Sequence, residues 1–203
     1  AGEDYAPLNV IASPLQEMRD VFDITGTDTV EHWQAIAARL AALPGSVSSY
    51  VESLRHRASS GEVAAVLQVT EGVKQAAELA DPSTSFFTSF VTGPAARAAL
   101  GGDSAGTALQ ADLERGARAA CEAYGSLATF LQDELAPQAP TQDAVGRDRY
   151  ALQSRFFLGA TVDLDETYEW GIEELARVIA EQESIAREIA GPGASVEDAV
   201  ARL

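Results

Sequence analysis

The chain has 203 residues, of which 46% are hydrophobic and 22% charged, enough for one sizeable core and unlike a disordered composition. With 14 basic against 31 acidic residues the net charge is −17, which excludes the clustered Lys and Arg that a nucleic-acid backbone or an anionic membrane requires. A single cysteine, Cys121, leaves no internal disulfide and points to a reducing, cytoplasmic setting.

The first residues, "AGEDYAPLNV", lack an initiating Met and a basic-then-apolar leader, so the chain is expected to start at a cut rather than at a gene start. In "SPLQEMRDVFDI", Ser13 is placed as N-cap, Pro14 at the first helical position and Gln16 as its box partner. Leu15, Met18, Val21 and Phe22 share one face. "DTVEHWQAIAARLAALPG" repeats the design with Asp28 and Glu31, and Trp33, Ile36 and Leu40 face inward. Pro44 is expected to break this helix and to let a third begin, carrying Val47, Val51 and Leu54 to about Gly61. A fourth helix is expected over roughly 62–80. Pro82 and Ser83 restart a short one around Phe86, Phe87 and Phe90. Gly93-Pro94 and Gly101-Gly102 then mark a loop.

Leu109, Leu113, Ala117, Ala120, Tyr124, Leu127, Leu131 and Leu135 recur at three and four, which predicts one helix of about 40 Å at 1.5 Å per residue. Two prolines in "APQAPTQD" end it. A shorter helix to about Leu158 follows, with a turn at Gly159. A second long helix then has Tyr168, Ile172, Leu175, Ile179, Ala186 and Ile189 as its buried stripe, stopped by Gly191-Pro192-Gly193. Ser195 and Asp198 cap a last helix on which Val196, Ala199, Val200 and Leu203 begin a buried face. The expected fold is all-α, a multi-helix array around a long antiparallel helix pair. Residues 1–203 read as a single helical region, an N-terminal-to-middle fragment of a larger protein, because the last helix is too short to stand alone. No apolar run reaches the roughly 18–20 residues of a membrane span.

The candidates for chemistry are few. "VDLDETYEWGIEEL" (162–175) packs six carboxylates into fourteen positions. Asp163 and Glu166 have box spacing, and Asp165 and Glu166 suit a helix dipole. Glu169, Glu173 and Asp165 share a face, yet no Glu-x-x-His pair or EF-hand spacing accompanies them, so the knot reads chiefly as a helix start with a solvated face. Part of a polar cleft wall, or a metal site, are the alternatives. His32 and His56 are the only imidazoles, and no HExxH is present. Cys121 reads as a small buried hydrophobe. The Gly-rich "GPAARAALGGDSAG" lacks a Gly-Lys-Ser/Thr ending and reads as linker. Arg147, Tyr150 and Arg155 could hold an anion, or pair with the chain's own carboxylates.

Three stretches, "LNVIASPLQEMRDVFD" (8–23), "FFTSFV" and "VGRDRYALQSRFFLGATVDLDETYEWGIEEL" (145–175), resemble the bacterial domain-of-unknown-function family 885, in its actinobacterial branch. The resemblance implies a much longer helical metallopeptidase whose zinc sits on a His-Glu-x-x-Pro-Gly-His motif downstream of these residues. On that likeness this chain carries no catalytic or metal residue and no cofactor, while zinc is expected in the full-length parent. The segment would wall a substrate cleft, with Arg155, Tyr168 and Trp170 as substrate-facing candidates. The expected partners are the remainder of its own polypeptide and a peptide-like substrate, with no nucleic acid and no membrane. Two rival readings are a helical binding or structural module without chemistry and a carboxylate-bridged metal protein.

Overall fold

In the computed structural model, which describes residues 8–102 and 104–203, Pro44 does not end its helix. α2 runs unbroken over Val30–Ser59. Trp33, Ile36, Leu40, Leu43, Val47, Tyr50 and Leu54 are all buried along it, so one apolar stripe passes straight through the proline. A proline inside a helix removes one backbone hydrogen bond. Burial of that continuous face outweighs the loss. The N-cap is Thr29, whose hydroxyl accepts from the His32 N–H at 3.3 Å, one residue later than the Asp28 the spacing predicted.

The described residues are helical, with no strand. They form two compact units, one ending at Asp143 and the other beginning at Ala144. In the first, α1 (Pro14–Asp20) starts as expected: Gln16 Oε1 accepts from the Ser13 N–H at 2.8 Å and from its hydroxyl at 2.6 Å. α3 (Val66–Ala80) and α4 (Phe86–Val91) follow. The Gly93–Gly102 stretch, expected as loop, instead contains α5 (Pro94–Leu100). Pro94 occupies its first turn, where a missing N–H costs nothing, and Ala96 and Leu100 are buried.

α6 (Ser104–Phe130) is the axis of this unit. Its predicted stripe is buried at Leu113, Ala117, Ala120, Tyr124 and Leu127, and Leu109 is half-buried. The helix does not continue to Leu135 as a regular α-helix. It widens into a π-turn over Leu131–Leu135, where the Ala136 N–H reaches the Leu131 carbonyl, and tightens into a 3-10 turn over Ala136–Gln138. Pro137 has no N–H to donate, so the ladder cannot carry on in register.

α2 and α6 run in parallel. Leu40 lies against Gly116 and Arg55 against Glu134, so numbering rises together along both. α3 is antiparallel to α6, because Gly72 faces Leu131 and Gly125 faces Ala80. Phe22, Trp33, Phe86, Phe87 and Phe90 close one end; Phe86 and Phe90 stack at 5.0 Å. Two buried aromatic tips are satisfied: the Tyr124 hydroxyl donates to the Leu15 carbonyl at 2.8 Å and Trp33 Nε1–H to the Thr27 carbonyl at 2.9 Å.

The second unit comprises α7 (Arg147–Leu158), α8 (Leu164–Ala190) and α9 (Val196–Arg202). The two long helices expected to pair, α6 and α8, thus fall in different units, and within its own unit α6 packs chiefly against α2 and α3, with α4 and α5 also touching it. α7 ends on Gly159 at φ 68°, a left-handed cap that favours glycine. α9 packs on α8 and opens with the expected Ser195–Asp198 box. Of the residues predicted as its buried face only Ala199 is buried; Val196, Val200 and Leu203 are exposed. No helix among the described residues is long and apolar enough to cross a membrane.

Candidate functional site

The acidic segment 162–175 begins α8, and its carboxylates divide by task. The Asp163 carboxylate accepts from the backbone N–H groups of Asp165 and Glu166 at 2.9 and 3.1 Å, so it is the N-cap. Asp165 takes both terminal nitrogens of Arg147, at 2.9 and 2.6 Å. That guanidinium holds the Asp165 carboxyl below its ordinary range, and the carboxylate in turn raises Arg147. Glu174 lies against Arg177, which lowers it. Arg147 is therefore spoken for by its own unit. Glu169 and Glu173 have no ion-pair partner among the described residues.

The stripe predicted to be buried on α8 is open. Tyr168 is 71% exposed, Ile172 51%, Leu175 55% and Ile179 44%; Ala186 alone is buried, and Ile189 is half-buried. α7 buries none of its residues, and Tyr150, Leu152, Phe156, Phe157 and Leu158 all stand in the open. The periodicity identified which side chains want cover; within these helices nothing supplies it. Of the three substrate-facing candidates, Arg155 is exposed on α7 without an ion-pair partner among the described residues. Tyr168 and Trp170 are both exposed on α8. Two residues on a helix project about 200° apart, so Tyr168 belongs to the apolar stripe and Trp170 points to its opposite side. The fold does not gather the three into one constellation.

Metal or nucleophilic chemistry finds no assembled donor set in these residues. Among the described residues no group of three or more His, Cys, Asp or Glu side chains could hold a metal ion. The zinc that the resemblance implies belongs to a motif that these 203 residues do not contain. The His32 ring packs over Gly26 and its Nδ1 is buried without a partner. Cys121 is buried beside the Ser85 hydroxyl at 3.4 Å, with no imidazole among its hydrogen-bond partners. It is a core residue.

One feature of the first unit escapes the one-dimensional pattern. A groove of about 770 Å³ runs between α2 and α6, floored by Val47, Val51, Ala123 and Phe130. Arg55 closes one end: its Nε and a terminal nitrogen donate to Glu134 at 3.1 Å each, another nitrogen donates to Glu52 at 2.6 Å, and the guanidinium lies 5.0 Å from the Phe130 ring. The π-turn carries Asp133 and Glu134 to that position. The small residues Ala119, Ala123 and Ser126 are the one signal in the sequence that could have marked a shallow helix face, and the sequence reading missed it. The partner across it, 79 positions away, was not readable.

Comparison with known proteins adds one assignment. No curated protein matches the chain. Residues 1–203 match the family described as "Bacterial protein of unknown function (DUF885)" along their whole length. That match covers both compact units, the closed array of α1–α6 and the open helices α7–α9, and the chain belongs to the DUF885 family.

Proposed function

We propose that this chain is a non-catalytic helical portion of a zinc-dependent peptidase or hydrolase, one that walls part of the substrate cleft in the whole protein. The observation that carries the reading is the open apolar face of α7 and α8. Some fifteen large apolar side chains from Val145 to Leu203 stand more than a third exposed, far more than a finished surface leaves uncovered. Family membership supports it. The remainder of the polypeptide would cover that face and bring the His-Glu-x-x-Pro-Gly-His motif of the actinobacterial branch, with zinc as its cofactor and a peptide-like substrate. A reducing, cytoplasmic setting suits the lone buried thiol.

Arg155, Tyr168 and Trp170 are the substrate-facing candidates of this reading. Their opposed directions mean that a cleft wall takes Trp170 or Tyr168, not both. The test is a polypeptide extended past Leu203 to the motif, assayed for bound zinc and for peptide hydrolysis beside the 203-residue chain. Zinc and activity in the longer form alone support the reading. A continuation without the motif, or one that carries it and binds no zinc, overturns it. The second reading, a helical binding or structural module without chemistry, draws on the same open face. It predicts that the longer form also lacks hydrolytic activity.

A further inference from the structure

We propose that Gln68 is a clasp: through it, the seating of residues 8–13 on α3 governs how firmly residues 139–143 are held as the chain leaves the turns that end α6. Three stretches far apart in sequence meet at the start of α3. Residues 8–13 lie along that helix as a strap. Leu8 is fully buried, and a Cβ at Gly72 would lie 3.3 Å from its Cδ1. The Asn9 side chain turns the strap, accepting from the Ile11 and Ala12 N–H groups at 2.8 and 2.7 Å. Val10 is gripped by both of its backbone polar groups. Its N–H donates to Gln68 Oε1 at 3.0 Å, and its carbonyl accepts from Gln75 Nε2 at 3.1 Å. Gln68 and Gln75 stand two turns apart on one face of α3.

The third stretch arrives from α6. Ala65, the N-cap of α3, has no side-chain acceptor, and the Val66 N–H donates instead to the Pro140 carbonyl at 2.8 Å. Three residues on, the Asp143 carboxylate accepts from Gln68 Nε2 at 3.0 Å. Gln68 therefore holds the strap with its oxygen and the departing segment with its nitrogen. The chemistry of the amide links the two contacts. Turned over, it would set N–H against the Val10 N–H and oxygen against the Asp143 carboxylate, so one orientation serves and it serves both. Each contact fixes the face that Gln68 offers to the other, and donation to a carboxylate strengthens the amide oxygen as an acceptor. When the strap lifts, the amide is free to turn, and Asp143 loses its donor.

Hydrogen exchange on the 203-residue protein, followed separately over 8–13 and 139–143, reads both ends of the clasp. Gln68→Glu keeps an oxygen for the Val10 N–H and sets a carboxylate against Asp143. Exchange over 139–143 is expected to rise roughly two- to tenfold, as loss of one such hydrogen bond gives, while 8–13 keeps its rate. Asp143→Lys in that background restores 139–143. Gln75→Ala is the decisive variant, because the bonds of Gln75 go to Gln16 and Val10 and loosen the strap alone. It is expected to speed 139–143 as well as 8–13, roughly two- to fivefold. In the Gln68→Glu background, with the clasp already open, it speeds 8–13 only. Gln68 and Gln75 are half-buried and Asp143 is exposed. Asp143→Ala opens the same contact without touching α3, so the claim stays exposed even if a Gln68 variant fails to fold. The proposal is overturned if Gln75→Ala frees 8–13 and leaves 139–143 at its own rate, which would mean two unconnected bonds. Unmoved exchange over 139–143 in Gln68→Glu and Asp143→Ala, or equal effects of Gln75→Ala in both backgrounds, overturns it as well.

Discussion

A methyl group at Gly116 would meet Leu40 Cβ at 2.7 Å, and Cβ is not an atom that can swing away. Gly116→Ala gains about 1 kcal/mol of helix propensity and meets an overpacking cost of about 1–3 kcal/mol, so a net loss of stability is expected on urea unfolding. Gly45, in the same α2 but with nothing within 4 Å of a Cβ, gives the opposite sign: Gly45→Ala is expected to stabilise by about 0.5–1 kcal/mol. Equal shifts in both variants would refute the close parallel approach of α2 and α6. At Asp165 the carboxyl is lowered chiefly by hydrogen bonds from Arg147. A folded-state pKa below the unfolded one gives stability that is present above about pH 4 and lost as pH falls through the lowered value. Asp198, lowered by its bonds from Ser195, acts with the same sign. Arg147→Gln should move the Asp165 titration, followed by carboxyl NMR, back up toward the ordinary carboxylate range; an unmoved titration contradicts the pairing. The caps at Ser13, Asp163 and Ser195 were legible because each is settled within four residues. Arg55–Glu134 was not, because its two halves meet only after folding.

α2, α5 and α8 show what helical pattern does and does not determine. Reading Pro44 as a stop weighed one missing hydrogen bond and ignored that Leu40, Leu43, Val47 and Tyr50 form one stripe across it. Tertiary burial decided the matter. Reading 93–102 as loop followed its glycines and prolines; "PAARAAL" between them is made of good helix formers, and Ala96 and Leu100 give it an inner face. On α8 the period was right and the burial was not, since spacing identifies an apolar face without naming what covers it. The contrast between elements is measurable. Leu127, fully buried on α6, should cost about 2–5 kcal/mol on Leu127→Ala, whereas Leu175→Ser on α8 should stay within about 0.5 kcal/mol in this chain. A large loss at Leu175 would mean that its face is already packed.

At the scale of the molecule the all-α class and the family were both legible in the sequence, while the division at Asp143 was not. The connector after α6 carries prolines that mark a turn, and nothing in it says that the core ends there. The hydrophobic cluster draws all of its members from Leu8 to Ala139, and none from α7, α8 or α9. A finished core on one side and an unfinished one on the other is the physical content of the account. Amide hydrogen exchange read by mass spectrometry on the 203-residue chain tests it most directly, because protection follows the buried contacts that local opening must break. The account predicts slow exchange along α2 and α6 and much faster exchange along α7 and the first turns of α8. Protection of α7 and α8 equal to that of α6 in the chain by itself would contradict it.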